Sequence, residues 1–460
     1  MIPFLFASVL AQTPAQPPQI PSQEVLLPRQ IRVLPGQLDK VPVFNSNSPE
    51  LVQQEGILLS TFPKAGMATP AAHLNFGFNG RFDVFAHHIA KAATPEDLRT
   101  LYLGVVLHNP GDRPVTVDVL QAASYLSQPD APFIELPAYV DNNRGDVYAG
   151  PGSRAMSDVL RGKRQEDFPA QVVIPPGESR MLMNLPIPVK TLEPPINGRS
   201  TSIRLYSDGL VYAASLAKFA AVDAQGEEQA PTLAEWEALL RQGGLAGPRD
   251  RTPTPPEQTS GQVVYGRVAG VSEGSRWQTQ IVDDASSADW ALAIPPVGAT
   301  FSYGLSLLRL GTHGTGQIQT APMLARYPDT AYEAHGNYAI EYSLTLPLRN
   351  DTNATQTVAL LVETPIKEEK PKNPGNMRFF EPVPRQVFFR GTVRLRYNDD
   401  RGLPQTRYIH LVQRRGQQGE PLVLLTMPPG DRRLVQFDFL YPPDATPPQI
   451  LTVKTLAPAR

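Results

Sequence analysis

Apolar and polar residues alternate with a period of two along most of this chain, most clearly from Leu101 to Gln121, LYLGVVLHNPGDRPVTVDVLQ. Leu101, Leu103, Val105 and Leu107 share one face of an extended chain, and Tyr102, Val106 and His108 share the other. Apolar residues on both faces suit a strand inside a sandwich. Asn109-Pro110-Gly111-Asp112 then stops the run, because Asn bonds its own backbone, Pro presets φ and Gly supplies φ > 0. Alternation resumes at Val115, Val117 and Val119, so the stretch predicts two strands joined as a hairpin.

The same grammar returns from Tyr338 to Glu363, where Tyr338, Ile340, Tyr342, Leu344 and Leu346 alternate into Asn350-Asp351-Thr352-Asn353. A second pair of echoes supports the first: VVIPPGESRMLMNLPI (Val172 to Ile187) and VLLTMPPGDRRLVQFDF (Val423 to Phe439) both read strand, Pro-Pro-Gly-acid turn, Arg, strand. The two signatures occur in the same order in both halves. That order predicts an all-β fold of two tandem β-sandwich modules, Ig-like or jelly-roll-like, with few short helices.

Helix signals are sparse. Ser48-Pro49-Glu50 reads as the start of a short helix ending before Gly56. Thr232 and Glu235 make a capping box, Leu233, Trp236 and Leu240 share a face, and Gly243-Gly244 ends the segment. Ser207-Asp208-Gly209 reads as a turn between IRLYS and LVYAASLAKFAAV, and Asp399 to Gly402 as the turn of a hairpin. The Pro-rich stretch Gly247 to Gln258 is the best boundary. The expected layout is a signal peptide at 1–11, a Pro-rich tether at 12–35 and a first module at 36–228. A capped helix with linker at 229–260 and a second module at 261–460 complete it.

Composition supports this layout. The 49 prolines in 460 residues are about twice ordinary usage and favour edges and loops over long helices. A formal charge of −2 offers no bulk field for nucleic acid or an anionic membrane. With no cysteine, disulfides, thiolate metal sites and thiol nucleophiles are excluded. The opening MIPFLFASVLAQ carries a short apolar run ending Val9-Leu10-Ala11, read as a secretory signal although the first basic residue is Arg29. No later segment is long and apolar enough to span a bilayer, so no transmembrane segment is expected after signal cleavage.

Few residues suggest chemistry. Asp83, His87 and His88 are the types a metal ion takes, but if Arg81 to Ala90 is a strand its adjacent residues point to opposite faces, so His87 and His88 cannot share one ion without distortion. Gly270-Val271-Ser272-Glu273-Gly274 has the form of a nucleophile elbow without the apolar helix such a turn requires. No catalytic residue and no cofactor is assigned. Between Ala131 and Asp167 a long polar insertion is basic where the chain as a whole is not. Arg154, Arg161, Lys163 and Arg164 are its candidates for contact with a partner or an anionic glycan.

PVFNSNSPELVQQEGILLSTFP (Pro42 to Pro63), HLNFGFNGRFDVFAHHIAK (His73 to Lys91) and AGPGSRAMSDVLRG (Ala149 to Gly162) resemble a cyanobacterial family defined by a domain of unknown function. The resemblance covers most of the mature chain and implies an exported envelope protein, with no activity to carry over. Together these readings give the expectation of a non-catalytic envelope or extracellular-matrix protein, periplasmic, on the cell surface or extracellular. Its expected partner is a glycan or protein surface. The alternative is a carbohydrate-active enzyme or its accessory module acting on envelope polysaccharide.

Overall fold

The computed structural model describes residues 21–457 apart from 93, 95, 259, 260, 287 and 288. The expected signal peptide at 1–11 lies outside the described residues. The fold is all-β, with two α-helices among the described residues: α1 (Pro151–Leu160) and α2 (Leu233–Gln242). No helix among the described residues is long and apolar enough to cross a membrane.

Two five-strand layers have the same order and directions. In the first, Pro42–Ser46 runs parallel to Phe78–Lys91, which is antiparallel to Ile196–Phe219. That strand is followed by Val115–Leu126 and Gln171–Ile174, each antiparallel to its neighbour. In the second, Gln30–Arg32 runs parallel to Thr300–Leu305, and Gln449–Thr455, Gln356–Glu363 and Pro421–Met427 follow, all antiparallel.

The strands Leu101–His108 and Val115–Leu126 do not form the expected hairpin. Leu101–His108 lies between Ser179–Ile187 and the second half of Ile196–Phe219, while Val115–Leu126 lies between Gln171–Ile174 and the first half of that long strand. Each already has two neighbours, so the turn is a corner between layers. Asn109 fixes it: Nδ2 donates to the carbonyls of Arg113, Ile174 and Pro175 at 2.6, 3.0 and 3.2 Å. Asn350 repeats this on Ala354, Met427 and Pro428 at 2.9, 2.7 and 3.1 Å. The turn expected at Ser207-Asp208-Gly209 is instead a bulge within one strand, which passes from one layer to the other. Gly209 is needed there because a Cβ would lie 2.6 Å from Val115 Cγ2.

Three further expectations change. Ser48 to Gly56 is not a helix: Leu51–Val52 pairs in parallel with Phe78–Lys91, and Asp250 accepts from the Ser48 hydroxyl and the Glu50 amide. Tertiary pairing overrides the local cap signal. Residues 23–32, inside the expected tether, are strands: Gln23–Pro28 pairs with Asn376–Glu381, and Gln30–Arg32 with Thr300–Leu305. Their apolar residues Val25, Leu27 and Ile31 pack on Met377, Phe379 and Ile450, which supplies the burial that a Pro-rich segment lacks by itself. Ala269–Glu273, within the expected second module, pairs with Pro42–Ser46 of the first layer. The α2 capping box and the hairpin of Val387–Asn398 with Pro404–Arg414 form as expected.

Two large cores fill the molecule. One gathers Phe44, Phe78, Phe82 and the inward valines of Val115–Leu126. The other holds an aromatic stack in which Tyr342 lies 6.4 Å from Trp277 and 5.3 Å from Phe439, both nearly parallel. Between them sits α1. Its Ala155, Met156, Val159 and Leu160 pack with Phe85, Ala123 and Tyr125 from the first layer and with Leu440 from a third sheet, ordered Arg276–Gln280, Glu341–Arg349, Arg432–Leu440, Val387–Asn398, Pro404–Arg414 and Tyr139–Asp141.

Candidate functional site

The residues first suspected of chemistry are engaged inside the protein. Asp83 is buried beside Arg81 and Arg204, and its carboxyl is raised above the ordinary range because burial outweighs both guanidinium groups. His87 Nδ1 lies 2.7 Å from Ser200 Oγ, while His88 lies 2.9 Å from Ser46 Oγ and 2.8 Å from the Pro49 carbonyl. Burial holds His87 down to about 3 and His88 to about 4, so both are neutral. Among the described residues no group of three or more His, Asp or Glu is placed to hold a metal ion.

Glu50, His87 and Ser200 form a row that looks like a relay, with Glu50 Oε1 3.8 Å from His87 Nε2. Ser200 is fully buried between paired strands, however, so no substrate reaches its hydroxyl. Ser272 is likewise buried within Ala269–Glu273, with no helix following.

The basic insertion is also committed internally. Arg154 lies over the rings of Tyr125 and Tyr148 at 4.0 and 4.4 Å, and Arg161 over Tyr408 at 3.8 Å. Lys163 pairs with Asp158 at 2.8 Å, and Arg164 donates to the Phe168 carbonyl at 2.6 Å. Within the segment expected to be a polar loop, Pro151–Leu160 forms the buried helix α1 and Tyr139–Asp141 a short strand, and the rest is loop.

A different group of side chains converges where the first layer meets the third sheet. Arg204 Nη2 donates to Glu341 Oε2 at 2.7 Å, and Arg276 Nη2 stands 3.3 Å from the other Glu341 oxygen. Arg276 also donates to Ser343 Oγ at 3.0 Å, and Ser343 donates to Asp438 Oδ1 at 2.8 Å. Asp438 Oδ2 accepts from Arg394 Nε and Arg396 Nη2, each at 3.1 Å. On the first sheet Arg204 Nε lies 3.8 Å from Asp83, which Arg81 contacts from the other side. One chain of contacts thus crosses the seam from Arg81 to Arg396.

Beside it runs a polar row. Gln280, Thr345, Gln436, Arg396 and Thr406 are direct partners across five adjacent strands. At about 4.8 Å per strand the row spans roughly 19 Å. Part of it lines an open groove of about 320 Å³ with Tyr397, Gln405 and the exposed Leu434. Amides, hydroxyls and a guanidinium in this arrangement offer repeated hydrogen bonds to an extended polar ligand. Sequence reasoning passed over these residues, although the signal was present: Arg394 and Arg396 alternate with buried Val393 and Leu395, and Arg276 and Gln278 flank buried Trp277.

Comparison with the curated proteins finds no match. Among solved structures, procruciferin, an 11S globulin from Brassica napus, aligns over 91% of this chain and 85% of its own at 12% identity. Its TM-score of 0.11 is too low to bear on fold or function. The family model described as "Protein of unknown function (DUF3370)" matches residues 29–455, nearly the whole chain, and the chain belongs to that family.

Proposed function

We propose that this protein is a non-catalytic component of the cell envelope or extracellular matrix that binds a glycan through the sheet face beside the seam. The observation that carries the reading is the row from Gln280 to Thr406, five side chains in direct register with hydrogen-bonding groups at regular spacing. A polysaccharide strand presents hydroxyls at comparable intervals and needs many such weak contacts in place of one deep pocket. The matching strand orders and the paired Asn109 and Asn350 corners support a further reading, that the chain is a duplicated sandwich in two tandem modules. Export to the periplasm, cell surface or medium rests on the apolar opening of the chain and on the resemblance to exported cyanobacterial proteins.

The test is to incubate the purified chain with insoluble cell-wall and exopolysaccharide preparations, then assay retention of protein and release of reducing ends. Retention without products is the expected result. Released sugars would replace this reading with the alternative, a carbohydrate-active enzyme, and failure to be retained by any preparation would defeat both. Fractionation of the native cell tests the location, and recovery in the cytoplasm alone would end the envelope assignment.

A further inference from the structure

The seam is polarised from inside to outside. Its carboxylates lie beneath, with side chains of Asp83, Glu341 and Asp438 only 9, 7 and 1% exposed. Arg81, Arg276 and Arg396 reach outward at 32, 37 and 42%. Five guanidinium groups therefore stand on three carboxylates. The further carboxylate that bears on Asp83, Asp39, accepts from the Ser275 amide and hydroxyl at 2.7 and 3.0 Å. Even with Asp39 included, cations outnumber anions at the surface of the seam. The inner carboxylates orient the arginines, and the field presented to solvent is positive.

Arg276 and Arg396 also keep part of each guanidinium at the surface, where an incoming acceptor can reach it. Guanidinium groups match carboxylate and sulfate oxygens in paired geometry, which a neutral hydroxyl does not reproduce.

We infer that the glycan taken by this face is an anionic polysaccharide bearing carboxylate or sulfate groups. Its acidic groups meet the outward edges of Arg276 and Arg396, and its hydroxyls meet Gln280, Gln436 and Thr406. This rests on the reading that the face binds a glycan, and the experiment separates the two. Affinity electrophoresis of the full chain is run through gels holding polygalacturonate, dextran sulfate, neutral dextran or poly-L-glutamate, at low and near-physiological salt.

Retardation by polygalacturonate, dextran sulfate or both, weakened by salt, is the expected result, and the tighter of the two identifies the acidic group. Arg276→Gln with Arg396→Gln should weaken binding by roughly tenfold or more, while the Lys pair at the same positions retains part of it. An unchanged melting temperature shows that the Gln pair still folds. If neutral dextran binds equally and the Gln pair has no effect, the anionic inference is overturned while the glycan reading stands. If no polysaccharide binds, both fall. Tighter binding to poly-L-glutamate than to either acidic polysaccharide would overturn the inference in favour of an acidic peptide.

Discussion

Replacing Arg29 by Met tests whether the N-terminal strands belong to the fold or hang from it. Arg29 Nε and Nη2 donate to the two carboxylate oxygens of Glu363, both at 3.0 Å, and Glu363 also accepts from Thr452 Oγ1 at 2.6 Å. Arg29 is 7% exposed and Glu363 is fully buried, so removing the guanidinium strands a carboxylate in the protein interior. Breaking one side of such a pair costs about 3–5 kcal/mol. At about 2–4 °C per kcal/mol for a core of this size, the transition of the second core should fall by roughly 6–20 °C. The chain has two cores, so unfolding is followed by a local probe. Trp277 lies in the second core and Trp236 beside the first, and a Trp236→Phe background leaves Trp277 as the buried reporter. Adding Glu363→Gln to Arg29→Met removes the stranded charge while keeping an acceptor for Thr452, and should recover most of the loss. A single variant melting within about 1 °C of the parent would refute the docking and restore the reading of residues 12–35 as a tether.

Gly104→Ala should destabilise by about 1–3 kcal/mol, seen as a lower urea midpoint, because the new Cβ would lie 2.8–3.0 Å from three atoms of the rigid Trp236 ring. Thr232→Ala should cost about 1 kcal/mol by removing the acceptor of the Glu235 amide, and hydrogen exchange should rise in α2 alone. Asn109→Ala and Asn350→Ala should lower stability by similar amounts, since each removes three donated bonds to equivalent carbonyls; a neutral effect at one site would contradict their equivalence. Burial holds His87 to about 3 and His88, His313 and His410 to about 4, below the ordinary 6.5. The unfolded chain then binds more protons than the fold below about pH 6.5, so stability is full above that pH and lost as pH falls towards 4. Asp444, raised by burial from 3.8 to about 6, acts in the opposite sense over that window, as do Glu50, Asp83 and Glu368, also raised by burial, but all seven histidines are lowered. Melting should therefore occur at lower temperature at about pH 4.5 than at about pH 7.5, and a rise would refute the assignment of these histidines as buried and neutral.

Strands were legible wherever period-two alternation was strong, as at Leu101–His108 and Glu341–Arg349, because that pattern depends only on which face is buried. Pairing was not legible. The alternation of Leu101 to Gln121 fits a hairpin and a corner equally well, and the choice was made by Asn109 bonding to Ile174 and Pro175, far along the chain. The α2 cap was readable because Thr232 and Glu235 act on each other locally, whereas the Ser48 signal lost to an acceptor supplied by Asp250. The seam escaped notice for a related reason. Arg204, Glu341 and Arg276 come from three strands whose meeting depends on how the sheets face each other.

That meeting follows from the connections that interrupt the two five-strand layers. Both carry an insertion at the same topological place, between Val115–Leu126 and Gln171–Ile174 in the first and between Gln356–Glu363 and Pro421–Met427 in the second. The first insertion supplies α1 and the strand Tyr139–Asp141; the second supplies Val387–Asn398 and Pro404–Arg414. Each completes the other. Tyr139–Asp141 pairs with Pro404–Arg414, Asn142 Nδ2 donates to Thr392 Oγ1 at 3.0 Å, and Arg394 Nη1 donates to the Leu160 carbonyl at the end of α1. Arg394 and Arg396, which hold Asp438 in the seam, belong to the second insertion, while Arg204 on the far side belongs to the first layer. Neither layer contains the seam alone. On the proposed reading that this face binds a glycan, selection on that contact acts also on the docking of the two insertions, and Asn142 and Thr392, bonded to each other across it, are tied to the face through the geometry they impose.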